Sequence, residues 1–279
     1  MQKTITELLN FGIIIVDKPT GPTSFSISDY VRKKLKLSKT SHFGTLDPMV
    51  TGVLPIALGR ACRLTGDFLG HDKTYVGIMH THKENDIKEL QKIIDEKFSG
   101  KIMQLPPKKS RVKREIRERE IKRFELLEVS EDKKDFLFIA EVQGGTYIRK
   151  LCSDLGDLIG GAHMAELRRT QAGVFVEKQA VNLYDFDKAV EEHEKGNSNK
   201  LRALIIPADE ALCLVLPKCE VKEFAVFALK TGKPLFRNDT EKLPTENKFA
   251  VFCKNKFIGI YNKVDERGDV VAKAQFVFN

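Results

Sequence analysis

Residues 41–54 read Ser-His-Phe-Gly-Thr-Leu-Asp-Pro-Met-Val-Thr-Gly-Val-Leu, and no other stretch restricts the chain so strongly. Gly44 opens backbone angles closed to other residues. Pro48 fixes its own φ and drives Asp47 out of the helical region, so one carboxylate is presented on a defined turn. Val53, Leu54, Ile56, Ala57 and Leu58 follow as a buried strand that anchors the turn. A lone Leu-Asp-Pro is an ordinary capped turn. In this longer setting Asp47 is the candidate catalytic group.

The 279 residues suffice for one large or two modest domains with a proper core, and 42% apolar with 31% charged residues fits a globular chain. Lys and Arg total 47 against 39 Asp and Glu, a formal charge of +8. That surplus attracts polyanions, nucleic acid first, although it also suits a merely basic protein. No apolar run approaches the roughly 20 residues that cross a bilayer, and residues 1–10 lack a secretory plan, so a cytoplasmic protein with no membrane partner is expected. The five cysteines form no Cys-x-x-Cys pair and read as small buried residues. His80 and His82 alternate along a strand with no third ligand at useful spacing, and no phosphate-cradling loop occurs, so neither metal nor cofactor is expected.

The apolar run 12–17 stops at Lys18-Pro19-Thr20-Gly21-Pro22. Ser24 is placed to cap a helix over 24–35, and a strand follows over 74–81. Asn85 or Asp86 caps a helix that Gly100 closes. Residues 121–129 and 136–142 predict an antiparallel hairpin, and Gly144-Gly145 leads into a helix bearing Ile148, Leu151, Leu155 and Ile159. Residues 191–200 read as an exposed connection. Beyond them, β-like runs at 224–229, 249–253, 257–261 and 270–278 predict a small β-rich domain. The whole is α+β, mixed and mainly antiparallel, divided into 1–205 and 206–279.

Taken as an ordered string, residues 41–54 resemble the Gly-His-x-Gly-Thr-Leu-Asp-Pro-x-x-x-Gly-Val-Leu signature of TruB-type pseudouridine synthases. The resemblance continues over roughly residues 12–175 in Lys18-Pro19, in Lys73-Thr74-Tyr75-Val76, in Gly145-Thr146-Tyr147-Ile148-Arg149 and in Gly161-Ala162-His163 through Leu167-Arg168-Arg169-Thr170. It implies an isomerase that detaches uracil at N1, turns it and rejoins it through C5, with a pseudouridine synthase catalytic domain followed by a PUA or PUA-like RNA-binding domain. By the same resemblance Arg149 pairs with Asp47 through a charge-assisted bond that Lys could not match. Tyr75 lies against the flipped base, Leu167 packs beneath it, His42 fills the gap the base leaves, and Lys18 and Pro19 form a pocket wall. Arg168 or Arg169 serves structure or phosphate. Ser41, Phe43 and Gln171-Ala172 depart from the usual pattern, which predicts weaker backbone contacts near the site.

Residues 108–123 hold nine Lys or Arg and three Glu. This run resembles the family's mobile RNA-clamping loop, with Lys108, Lys109, Arg111, Lys113 and Arg114 as phosphate contacts; a solvated charged face is the alternative. Details such as Met49-Val50-Thr51-Gly52-Val53-Leu54-Pro55 look closer to the archaeal and eukaryal dyskerin branch. The partners this implies are tRNA, or an H/ACA guide RNA with an rRNA target and small ribonucleoprotein subunits. A catalytically silent RNA-binding or chaperone protein would share the basic loop but would have no need of Asp47 and Arg149 together.

Overall fold

The computed structural model describes residues 3–106, 113–265 and 268–279. The chain divides into two compact units, Met1–Ile205 and Ile206–Asn279. In the first unit α1 (Ile5–Asn10) leads into β1 (Gly12–Lys18), where Ile13, Ile14, Ile15 and Val16 are all fully buried. There follow α2 (Ser24–Lys34), β2 (Thr40–His42), β3 (Thr51–Leu58), α3 (Thr65–Leu69), β4 (Lys73–Thr81) and α4 (Ile87–Lys97). The unit continues through β5 (Gly100–Gln104), β6 (Arg117–Val129), β7 (Asp135–Val142), α5 (Ile148–Ile159), β8 (Ala162–Ala172), β9 (Phe175–Val176) and α6 (Leu183–Glu194).

One sheet runs β1-β3-β8-β4-β7-β6-β5, with β2 paired to β3 and β9 to β8. Every one of these pairs is antiparallel except β3 with β8, which run parallel through Thr51↔Arg168 and Gly52↔Arg169. That parallel pair is the seam between two cores. One lies around β1, β3, α2 and α6, with Ile14, Val31, Leu54 and Phe186. The other lies around β4, β6, β7, α4 and α5, with Met79, Ile94, Phe136, Phe138 and Leu151. The architecture is the mixed, mainly antiparallel α+β class expected.

The second unit holds a five-stranded sheet in the order Lys218–Glu220, Lys248–Cys253, Lys256–Lys263, Val270–Val277, Leu235–Phe236. Its core is Leu229, Leu235, Phe249, Val251, Ile258 and Tyr261.

Local chemistry revised several expectations. Thr23, not Ser24, caps α2 by accepting from the Ser26 N–H at 3.0 Å, because the Ser24 hydroxyl is turned inward to another partner. Phe98 is the C-cap of α4, and Gly100 instead begins β5 at φ +70°. Residues 191–200 are partly helical: α6 runs to Glu194, and a further helix spans Asn199–Leu204. The run 224–229 is not a strand. Val226–Lys230 is a helical turn, because burying Ala225 and Leu229 four residues apart needs helical spacing and leaves Phe224 and Phe227 exposed. Among the described residues no helix is long and apolar enough to cross a membrane.

Candidate active site

Asp47 lies in the turn between β2 and β3, and the turn is held from below almost wholly through its main chain. The Val50 N–H donates to the Asp47 carbonyl at 3.0 Å, closing the turn around Pro48. Ser24, fully buried, brackets the preceding residue: its Oγ accepts from the Leu46 N–H at 2.8 Å and donates to the Leu46 carbonyl at 2.9 Å. Lys18, also fully buried, donates from Nζ to the carbonyls of Pro19 (2.8 Å), Pro48 (3.0 Å) and Val50 (2.9 Å), which uses all three ammonium N–H bonds. Burial pulls the Lys18 pKa below the ordinary lysine range, and the nearby Asp47 charge offsets part of that.

Arg169 supports the other flank. Its buried guanidinium donates to the carbonyls of Val53 (2.8 Å) and Gly44 (3.0 Å) and bonds the Tyr75 hydroxyl, while burial lowers its pKa. Two glycines of the signature have geometric reasons here. Gly44 sits at φ +100°. Gly52 sits at φ +101°, where a Cβ would stand 2.2 Å from the Arg169 carbonyl oxygen across the parallel seam.

Arg149 arrives from the first turn of α5, with Nη2 2.8 Å from Asp47 Oδ2. The two side chains are 45% and 42% exposed, so the pair contributes at most ~1 kcal/mol to stability. A cation at a helix N-terminus opposes the helix dipole, so helix stability does not explain its position. Gln104 fixes where α5 begins: its buried amide donates to the Tyr147 carbonyl at 3.1 Å and accepts from the Tyr147 N–H at 2.8 Å.

These groups surround a cavity of about 620 Å³, a size suited to a small ligand or a nucleotide. Asp47, Arg149, Tyr75, Leu167, Lys73 and Arg169 all contribute to its lining. Tyr75 is 8% exposed, its hydroxyl held by Arg169 and its ring at the wall. Lys73 is buried, donates to the carbonyls of Leu69 and His71, and has its pKa pulled down to about 8 by burial and by the Arg169 charge.

Other sequence candidates lie elsewhere. Lys18 and Pro19 are not among the lining residues; Lys18 is a strut beneath the turn. His42 is also outside the lining, with Nε2 3.2 Å from Thr45 Oγ1, and burial together with Arg169 lowers its pKa. Arg168 is turned to structure: it donates to both Asp17 oxygens, at 2.9 and 3.0 Å, and to Glu177. Lys108, Lys109 and Arg111 fall outside the described residues. Lys113 and Arg114 are exposed, with Lys113 paired to Glu115, while residues 117–123 of the basic run belong to β6.

The departures at Ser41 and Phe43 do not loosen the site. Phe43 stacks on Phe68 at 4.8 Å and Phe175 at 6.1 Å, its N–H donates to the Pro55 carbonyl at 2.9 Å, and Ser41 Oγ accepts from Thr65 Oγ1 at 3.1 Å. Sequence reasoning missed Ser24, Gln104 and the contact of Lys73 with the cavity. Lys73 was visible in its motif; the other two are single polar residues whose partners are 22 and 43 positions away. It also missed that the fold brings His163, known from its motif, beside His80 and His82 with ring centroids 5.2–6.4 Å apart. Among the described residues, no three His, Cys, Asp or Glu side chains are arranged to hold a metal ion.

Comparison with known proteins bears on this geometry. Residues 32–148 match the model of the TruB family pseudouridylate synthase N-terminal domain, and residues 149–213 that of the tRNA pseudouridylate synthase B C-terminal domain. The chain is 44% identical over 244 residues to a probable tRNA pseudouridine synthase B of Methanocaldococcus jannaschii, covering 87% of this chain and 71% of the relative. It is 45% identical over 236 residues to the protein of the same name from Methanopyrus kandleri, covering 84% and 69%. Among solved structures, a chain of a Cbf5-Nop10-Gar1 complex superimposes with a TM-score of 0.90 at 34% identity, covering 99% of this chain and 88% of that one. A chain of an H/ACA RNP bound to a substrate RNA containing 2′-deoxyuridine gives 0.87 at 32%, covering 99% and 88%.

Proposed function

The chain belongs to the TruB family of pseudouridine synthases, isomerases that act on RNA, and from that premise we propose that Asp47 is its catalytic carboxylate and Arg149 the group that aims it. The observation that carries this reading is the 2.8 Å pair of Asp47 and Arg149 at the wall of a cavity, reached from sites 102 positions apart. Tyr75 and Leu167 offer an aromatic face and an apolar edge to a uracil turned out of its stack. The Ser24 and Lys18 contacts keep the carboxylate fixed while the base rotates, so that N1 leaves and C5 arrives at the same sugar carbon. His42 fills the space the flipped nucleotide vacates, Lys18 and Pro19 back the pocket, and Lys108, Lys109, Arg111, Lys113 and Arg114 neutralise phosphates of the bound RNA.

The substrate on this reading is tRNA, supported by the names of the relatives from Methanocaldococcus jannaschii and Methanopyrus kandleri. A second substrate, an RNA presented by an H/ACA guide ribonucleoprotein with its small protein subunits, is favoured by superposition on the Cbf5-Nop10-Gar1 chain over 99% of this chain. Residues 206–279 act as a PUA-like RNA-binding domain, and the enzyme works in the cytoplasm without metal or cofactor.

The test is incubation of the purified protein alone with unmodified tRNA, followed by chemical mapping of pseudouridine. Site-specific product, abolished in Asp47→Asn with RNA affinity retained, is the expected result. Product that appears only when guide RNA and partner proteins are added selects the second substrate. Equal turnover by Asp47→Asn refutes the catalytic assignment.

A further inference from the structure

The charges lining the cavity do not balance. Among the described lining residues Asp47 is the one carboxylate, and it stands with three cations, Lys73, Arg149 and Arg169. Arg149 is paired with Asp47. Lys73 and Arg169 are buried and hold main-chain carbonyls, Leu69 and His71 for the lysine, Gly44 and Val53 for the arginine. The acid next to Lys73 in sequence, Asp72, is paired with Lys122, and its charge offsets only part of what burial and Arg169 do to Lys73. Both side chains pass close to Gly44: a Cβ there would lie 3.4 Å from Arg169 Nη1 and 3.8 Å from the Lys73 methylene Cε. An ammonium has three N–H bonds, and the two carbonyls use two of them.

Burying a cation without a counter-ion is unfavourable, and fixed donors of this kind are most effective where negative charge develops during a reaction. Resting on the uridine isomerisation argued above, we propose that Lys73 is a further catalytic residue, whose remaining ammonium N–H, backed by the charge of Arg169, stabilises the uracil as it leaves the ribose as an anion. When the C1′–N1 bond breaks, its electron pair stays with the base and spreads over N1 and the carbonyl oxygens. When C5 bonds to C1′, that negative charge is consumed; the C5 proton is then lost and N1 gains one, so the isomerisation closes without net change. The ammonium is needed only between these two steps.

Single-turnover rates on saturating RNA, measured with RNA affinity across pH 6–10 for wild type, Lys73→Arg and Lys73→Met, test this. In the wild type the rate should fall about tenfold per pH unit above about pH 8, where Lys73 loses its proton. Arginine does not deprotonate in this range, so in Lys73→Arg the fall should move up by about one pH unit or more. Lys73→Met should be slower by about 10² at neutral pH, with affinity within about twofold of wild type, as for loss of one preorganised donor.

A wild-type alkaline limb that persists unmoved in Lys73→Arg overturns the assignment, including the case where Lys73→Met fails to fold. A Lys73→Met protein that binds RNA weakly but turns it over at the wild-type rate when saturated overturns it too, and makes the lysine a phosphate contact. Wild-type enzyme that makes no pseudouridine at any pH, on tRNA alone or with guide RNA and partners, refutes the underlying reading as well.

Discussion

Gly21 and Gly52 have nearly the same backbone angle, φ +106° and +101°, in opposite surroundings, so the pair separates two costs of adding a methyl group. At Gly21 nothing lies within 4 Å of the new Cβ, and Gly21→Ala pays only for the unfavourable φ, ~1–2 kcal/mol. At Gly52 the Cβ would stand 2.2 Å from the Arg169 oxygen and 3.0 Å from both its carbon and its nitrogen. All of these are main-chain atoms that no rotamer change can move. Relief needs a shift of about 1 Å between β3 and β8, which weakens two or three backbone hydrogen bonds at ~1 kcal/mol each. Gly52→Ala should therefore lose ~3–5 kcal/mol, against ~1–2 kcal/mol for Gly21→Ala. Urea unfolding followed by fluorescence or circular dichroism measures the difference. Because Gly52 lies five residues from Asp47, single-turnover isomerisation by Gly52→Ala should also fall at least tenfold under conditions where the protein is folded. Equal destabilisation by the two substitutions, with full activity in both, would refute the claim that close backbone approach at the seam fixes the Asp47 turn.

Three more outcomes are open to measurement. Ser24→Ala strips Leu46 of a donor and an acceptor at a buried position and should cost ~2–4 kcal/mol in urea unfolding, whereas Ser26→Ala, on the exposed side of the same turn, should cost under ~1 kcal/mol. Arg149→Lys should leave stability within ~1 kcal/mol yet slow single-turnover chemistry at least tenfold, since the ammonium cannot reproduce the guanidinium fork; a normal rate would count against Arg149 as the aiming group. Lys73 keeps its proton to about pH 10.5 when unfolded but only to about pH 8 when folded, so between those values the unfolded chain binds more protons and stability rises with pH. Wild type should gain up to ~3 kcal/mol relative to Lys73→Met from pH 8 to pH 10.5, with the full penalty of burial present below pH 8; a constant difference would refute it.

The parts of the site that were legible in the sequence depend on local geometry. Gly44, Asp47 and Pro48 announce a turn because their backbone restrictions act on themselves and their neighbours, and the apolar run 53–58 announces its strand. Arg149, Tyr75 and Leu167 were legible only through ordered motifs, since nothing local joins positions 47 and 149. What stayed hidden depends on distant partners. Ser24 looks like a helix cap because Ser caps helices, but its hydroxyl serves Leu46 and Thr23 does the capping. Lys18 reads as a pocket wall only through its Lys-Pro motif; a lysine ending a strand is normally exposed, and three convergent carbonyls make its burial tolerable. In the second unit, Phe224 and Phe227 suggest a strand by composition, and the spacing of Ala225 and Leu229 makes the segment helical.

The supports of the Asp47 turn grip peptide groups: Ser24 holds Leu46, Lys18 holds Pro48 and Val50, Arg169 holds Gly44 and Val53, and the Gly21 N–H donates to Pro48 at 2.9 Å. None of these contacts reads the side chain of the residue it holds. A turn restrained in this way is indifferent to the lettering of its outward positions, and Met49, 55% exposed two residues from the carboxylate, is free to change. Substitution at such a position leaves the carboxylate in its place, so the outward lettering of this turn can drift among descendants of one ancestor without passing through a misfolded intermediate.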